Sequence, residues 1–424
     1  MIPIFLFFFL MILGVPIAFV LGMTTVGFVF LSENINVMES MPSRMFNGLQ
    51  NFGLVAIPMF IFLGEVMNKG GITKRLIDFS QVILGHLKGG LGYVNVVANM
   101  FLASIIGSAN AQSAVMSKVM VPAMEKEGYR KDFSAALTSA SSVMGPLIPP
   151  SMPFIIFGVT ASTSIGKLFL AGIAPGILLT IAYGVAIYFI AKKEDLPTSE
   201  KSTVKEVSIS FVHVLPALII PLFIVIGITT GFFTATESGA MAAFVAVLVG
   251  MFIYKDLKMK HMYEIIYRTV ITTSTVTFLL ATSNIFGWVL SFQQIPQLIA
   301  DVFLSIASNQ YMFLILATIL LLIVGMFLEG IAALILLVPI LLPVAVQFGV
   351  DPVHFGVIMV LNLTIGLLTP PVGTVLFIVS SITKVKIGDL VKSMMPFLII
   401  AFIVLLLVTF IPAISLFIPS LFKL

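Results

Sequence analysis

Gly145-Pro146-Leu147-Ile148-Pro149-Pro150 interrupts one apolar stretch of this chain, and Gly366-Leu367-Leu368-Thr369-Pro370-Pro371 interrupts another. The second stands 221 residues after the first (Gly145 to Gly366), and the offset also relates Pro122 to Pro343, Gly128 to Gly349 and Pro175 to Pro396 without a gap. The sequence is therefore duplicated, and each copy breaks an apolar helix at the matching place. Proline lacks the backbone donor and its ring clashes with the preceding turn, so a helix does not run through such a motif unaltered. Backbone freed in this way at membrane depth persists only where it is buried in protein or lines a wet cavity. Two matching breaks imply a built site.

The composition places the chain in a membrane. Of 424 residues, 59% are apolar and 9% charged, against roughly 25% charged in ordinary soluble domains. Apolar runs such as 212–230, 240–254, 311–328 and 396–417 approach or reach the ~20 residues that a hydrocarbon core requires. No basic region precedes the first apolar run, so residues 1–31 are expected to be membrane sequence and not a leader. Cysteine is absent, which excludes disulfides, thiolate metal sites and thiol nucleophiles. The net charge of +4 is spread over span ends and reads as the positive-inside bias, not as a nucleic-acid surface.

Lysine and arginine sort the connections into two sets. Residues 69–88, 118–131, 192–205, 255–268 and 384–392 are basic and are expected in the cytoplasm; 229–237, 293–310 and 347–354 have neither residue and are expected outside. Two basic connections flank the apolar segment 89–121, whose middle, Ser104 to Ser113, is small and polar. It is expected to be a re-entrant hairpin turning at Gly107–Asn110. Segment 309–347 lies between non-basic connections, so its hairpin should enter from the other face, with its tip near Gly325 to Gly330. Each hairpin precedes a helix broken at its Gly/Pro motif (135–163 and 355–383) and then an uninterrupted span.

The expected fold is all-α and polytopic, an inverted repeat with two re-entrant helical hairpins and two broken helices, a pattern of secondary transporters. The division is 1–68 scaffold spans, 69–88 a cytoplasmic arm, 89–191 first-repeat transport elements and 192–210 a solvated linker. It continues with 211–292 scaffold spans, 293–308 an external arm and 309–424 second-repeat transport elements. The N-terminus is either one tilted helix or a segment broken at Gly14-Val15-Pro16, and the repeat favours the break.

Polar groups inside a membrane are expensive and carry a functional prior. At the first tip and break these are Ser104, Gly107, Ser108, Asn110, Gly145, Pro149 and Ser151; at the second, Gly325, Glu329, Gly330, Gly366, Thr369, Pro370 and Gly373. Carbonyls of broken helices, hydroxyls and amide oxygens suit sodium, and small residues let them converge. Gly and Ser also line close helix packing, which is the better reading for any one serine; the doubling reverses this and favours ion binding, with two or more sodium ions. Ser108, Asn110, Ser151, Glu329 and Gly373 are the candidate substrate contacts. Glu329 stands where the first half has Ser108, and is either a functional carboxylate or a hydrated tip. Glu65 and Glu237 lie nearer helix ends.

Arg44, Arg75, Arg130 and Arg268 all lie near connections. An anionic substrate would therefore depend on helix N-termini, hydroxyls and bound cations. His86, His213, His261 and His354 stand at span ends without metal spacing and are expected at the interface. The single Trp288 is expected to be interfacial or a packing residue. Nothing resembles a nucleotide-binding motif or a catalytic pair, so no enzyme activity is expected.

Taken together, Gly107-Ser108-Ala109-Asn110-Ala111, the 145–153 break, Leu328-Glu329-Gly330 and the 366–373 break resemble the large membrane subunit of the tripartite ATP-independent periplasmic (TRAP) transporters. The resemblance covers essentially the whole chain. It implies a bacterial inner-membrane protein working by an elevator mechanism with sodium coupling. It also implies a small four-helix membrane subunit, a periplasmic substrate-binding protein, and an organic-acid substrate of the C4-dicarboxylate or sialic-acid type, the sialic-acid branch being nearest. The alternative is a stand-alone sodium/carboxylate symporter of the same superfamily.

Overall fold

The computed structural model describes residues 2–31, 35–194, 196–198 and 200–422. Small parts of the N-terminal segment, the linker and the C-terminus in the division above thus lie outside the described residues. Those described form α-helices and short 3-10 or π turns, with no strand among them. The first half comprises α1 (Ile2–Ile12), α2 (Ile17–Leu31), α3 (Ile35–Asn47), α4 (Ala56–Lys69), α5 (Ile72–Leu84), α6 (Gly90–Ile106), α7 (Ala109–Lys126), α8 (Lys131–Ser141), α9 (Met152–Thr160) and α10 (Ile165–Glu194). The second comprises α11 (Val204–Thr229), α12 (Ala235–Leu248), α13 (Met259–Phe292), α14 (Ile295–Ile306), α15 (Gln310–Phe327), α16 (Gly330–Gln347), α17 (Pro352–Gly366), α18 (Thr374–Thr383), α19 (Ile387–Phe410) and α20 (Pro412–Ser420). Eight described helices, some counted with an adjoining short turn, are long and apolar enough to cross a membrane.

The duplication is visible helix by helix. Shifted by 221, α7 falls on α16, α8 on the start of α17, α9 on α18 and α10 on α19 plus α20. Contacts exchange the same way: α7 packs on α18 while α16 packs on α9, and α8 packs on α19 while α10 packs on α17. A second group, α1, α2, α4, α11, α12 and α13, packs mainly on itself. It touches the first group through pairs such as α13 with α16 and α4 with α6, and the Ser283 hydroxyl on α13 donates to the Ile335 carbonyl on α16 at 3.2 Å.

Three expectations are refined. The N-terminal segment is broken, since Gly14 takes a φ of +75° between α1 and α2. The polar stretch 192–210 is not all linker, because α10 runs to Glu194 and α11 starts at Val204 with a Thr203/Glu206 capping box. Its middle docks on the protein: Leu196 is buried, and the Pro197 carbonyl accepts from the Gly89 N–H at 3.1 Å. The final span is interrupted, because Pro412 has no N–H with which to continue α19, and α20 starts there.

One expectation is corrected. His354 is not interfacial but 1% exposed. The end of α19 and the start of α20 fold over it, placing Ser415 Oγ of α20 2.6 Å from Nδ1 and the Thr409 carbonyl of α19 3.3 Å from Nε2. Trp288 packs, with the Arg44 guanidinium 4.3 Å above its ring.

Candidate functional site

Helix α6 ends because Gly107 takes a φ of +62°, a left-handed conformation that costs glycine nothing. Ser108 then turns extended and caps α7, its hydroxyl accepting from the Ala111 N–H at 3.5 Å. A Cβ on Gly107 would stand 3.4 Å from the Met152 nitrogen and 3.5 Å from the Pro150 carbonyl, so this tip lies against the first break. In that break α8 gives way to a 3-10 turn at Ser142–Met144, and a cis Pro149-Pro150 peptide leads to Ser151. Ser151 caps α9 and donates to the Pro146 carbonyl across the loop.

The second unit repeats the plan with other groups. Glu329 caps α16, its carboxylate accepting from the Ile331 and Ala332 N–H groups at 3.0 and 3.3 Å. At the break, the Thr369 hydroxyl donates to the Ile365 carbonyl at 2.9 Å, and a cis Pro370-Pro371 peptide precedes Gly373 at φ +59°. The Gly373 N–H donates to the Met326 carbonyl at 3.2 Å, tying this break to its tip. Gly325 and Gly366 bring α15 and α17 into backbone contact, where a Cβ on Gly366 would lie 2.5 Å from the Gly325 carbonyl carbon.

Four candidates meet: Gly107, Ser108, Glu329 and Gly330 line one cleft of about 20 Å³, walled also by Pro146 and Thr364. That volume holds roughly one water. The starts of α7 and α16 both open on it, and helix N-termini attract negative charge. Asn110 joins the halves differently, its Oδ1 accepting from the Thr374 hydroxyl at 3.0 Å. Ser104 does not reach the cleft; its hydroxyl donates to the Phe101 carbonyl of its own helix at 2.7 Å. Gly145, Pro149, Ser151, Gly325, Gly366, Thr369, Pro370 and Gly373 form the breaks and crossings around the cleft without lining it. Glu237 serves as the partner of Thr234 in the capping box of α12.

Hydroxyls that donate to a carbonyl, as those of Ser104, Ser151 and Thr369 do, retain lone pairs for a cation. Among the described residues, several buried side-chain oxygens have no hydrogen-bond partner at all, including Gln112 Oε1 and Ser141 Oγ beside the first break and Asn362 Oδ1 before the second. The donor chemistry therefore fits a hard monovalent cation such as sodium. No group of three or more acidic or histidine side chains among the described residues offers a metal site. Sequence reading missed Gln112 and Thr364, together with Asn95, Asn99 and Thr138. The i, i+4 spacing of Asn95 and Asn99 inside an apolar segment was the available signal.

The comparisons with known proteins agree with this architecture. Residues 4–414 match the family model described as the tripartite ATP-independent periplasmic transporter, DctM component. The chain is similar to the sialic acid TRAP transporter large permease SiaM of Vibrio cholerae, 40% identical over 97% of this chain and 96% of that one. It is also similar to the 2,3-diketo-L-gulonate TRAP transporter large permease YiaN of Escherichia coli, 36% identical over 94% of each. Its fold resembles that of the Alcanivorax borkumensis YdaH transporter, with a TM-score of 0.66, 13% identity and 99% of each chain covered. With a family model spanning nearly the whole chain and duplicated broken helices facing two capped tips, this protein belongs to the DctM component of the TRAP transporters, multi-pass transport proteins of the bacterial inner membrane.

Proposed function

We propose that the chain is the sodium-coupled large membrane subunit that imports an organic acid delivered by a periplasmic binding protein. The observation that carries this reading is the single cleft in which the tips of both repeats, Ser108 and Glu329, meet beside a broken helix. Helix N-termini and hydroxyls suit a carboxylate where no arginine is near; Arg75, Arg130 and Arg268 instead pair with Asp256, Asp132 and Glu194, and Glu264. Both relatives named above are named for transport of acids, and a sialic acid is the first substrate to test.

Contacts that interchange between the halves support a two-fold related, inverted repeat in which both hairpins are re-entrant. Helices α6 to α10 and α15 to α20 would move as the transport part of an elevator against α1 to α4 and α11 to α13. A small four-helix membrane subunit would complete that frame. Ser104, Gly107, Ser108, Asn110, Gly145 and Pro149 would hold sodium at the first break, and Gly325, Gly330, Gly366, Thr369 and Pro370 at the second. Bound cations would supply positive charge beside the substrate carboxylate; the protein orients the acid through Ser108, Asn110, Ser151, Glu329 and Gly373.

The test is uptake of labelled acid into proteoliposomes, with sodium outside and each of the three components omitted in turn. Uptake should need all three and an inward sodium gradient. Equal uptake in choline removes sodium coupling, and uptake of free acid by this chain alone favours a stand-alone symporter.

A further inference from the structure

A buried side-chain ladder runs through the first repeat. The Thr138 hydroxyl donates to the Ser134 carbonyl at 2.7 Å, and Asn95 Nδ2 donates to Thr138 Oγ1 at 2.7 Å. Asn99 Nδ2 donates to Asn95 Oδ1 at 2.8 Å, and Gln112 Nε2 donates to Asn99 Oδ1 and to the Asn99 carbonyl, both at 2.8 Å. Asn95, Asn99, Gln112 and Thr138 are wholly buried. At the repeat offset the second half has Leu316, Leu320, Ala333 and Met359 instead. The ladder therefore serves something that only the first repeat contains.

Its last atom is Gln112 Oε1, a fully buried oxygen without a partner among the described residues. The amide cannot be reversed, since Nε2 faces two oxygens that only a donor satisfies. Each amide donates through its nitrogen and, except at the end, accepts through its oxygen. Such chains polarise cooperatively and concentrate negative charge on the terminal oxygen. That oxygen lies against Gly145 in the first break: a Cβ there would be 2.7 Å from it, 3.2 Å from the Ser142 carbonyl and 3.4 Å from the carbonyl carbon of Ser108. Glycine is the residue that leaves the oxygen uncovered. Ser141, the last residue of α8 before the break, adds a second buried oxygen without a partner among the described residues.

We propose that Gln112 Oε1 is a cation ligand at the first break, held and polarised by Asn99, Asn95 and Thr138. The ligand's neighbours are neutral oxygens, which suit a monovalent ion; divalent ions draw on carboxylates. The proposal rests on the sodium-coupled reading and gives it a residue that is special to one of the two repeats.

The test is thermal unfolding of the full chain in nanodiscs, titrated with sodium chloride against choline chloride at constant ionic strength. Wild type should be stabilised by sodium in a saturable way. Gln112→Leu should raise the half-saturating sodium concentration by about tenfold or more, the loss of one strong oxygen contact. Asn95→Leu cuts the ladder that polarises the oxygen; it should lower the melting temperature without sodium and raise half-saturation, by less than Gln112→Leu does. If Gln112→Leu does not fold, the isosteric Gln112→Glu decides: its half-saturating sodium should fall as pH rises and the carboxylate ionises. Half-saturation unchanged in Gln112→Leu, or unchanged and independent of pH in Gln112→Glu, overturns the role of Gln112 and leaves sodium coupling standing. A wild type that melts alike in sodium and choline overturns sodium coupling, and this proposal with it.

Discussion

The two hairpin-and-break units share a plan and differ in what holds them together. In the first, hydrogen-bonded amides link α6, α7 and α8, and Gly107 and Ser151 are buried. In the second, the equivalent positions are apolar; α15 instead crosses α17 at Gly325 and Gly366, while Glu329 and Pro370 are exposed. Directional hydrogen bonds fix a register, whereas dispersion contacts between smooth surfaces permit small slides. The first unit is held by an amide ladder between α6, α7 and α8, and the second by the backbone crossing of α15 on α17 and the Gly373 to Met326 bond.

The largest effect is expected at the glycine crossing. Gly366→Ala drives a methyl into the Gly325 backbone, which has no side chain to move aside. It should cost about 3 kcal/mol or more and remove most folded protein, measured as fluorescence-detected monodisperse yield. Gly330→Ala, with nothing within 4 Å of its Cβ, should be close to silent in the same assay. Equal losses would mean that the crossing is not what holds the second unit.

Cutting the ladder should come next. Asn99→Leu leaves the buried Asn95 Oδ1 without its donor and takes one of two acceptors from the Gln112 amide, which keeps the Asn99 carbonyl, and should destabilise by about 2 kcal/mol. The reverse substitution, Leu320→Asn, places an amide where the second unit offers apolar packing and should cost about 1–3 kcal/mol. A double variant that recovers stability would show that the two stems are interchangeable and not held by different means.

The tips should show the smallest stability effects. Glu329→Ala loses a cap worth about 1 kcal/mol, so expression should stay near normal while uptake falls strongly. Glu329→Ser restores a capping oxygen without the charge; recovery of uptake would assign the carboxylate to capping alone. Ser108→Ala removes a long 3.5 Å cap and should cost only about 0.5 kcal/mol.

Much of this was legible in the chain. The duplication, the two breaks and the tips at Gly107-Ser108 and Leu328-Glu329 follow from local chemistry, because glycine, proline and capping residues act on their own backbone. Elements whose surroundings lie far away in sequence were not legible. The His354 position looked interfacial because the helix that covers it comes more than fifty residues later. Asn95, Asn99 and Gln112 were visible as polar residues, but not as one ladder, since Gln112 reaches back thirteen positions across a turn.

The sequence by itself determined that this is a polytopic, duplicated helical protein with a pair of interrupted helices, since apolar run length and helix-breaking residues are properties of segments. Only the tertiary structure decided that Ser108 and Glu329 share one cleft and that Asn110 meets Thr374 across 264 positions. It also decided that one repeat is held by amides and the other by bare glycine backbone. Those outcomes depend on which helix faces which, and that is set by packing between segments whose own periodicity is nearly uniform apolar.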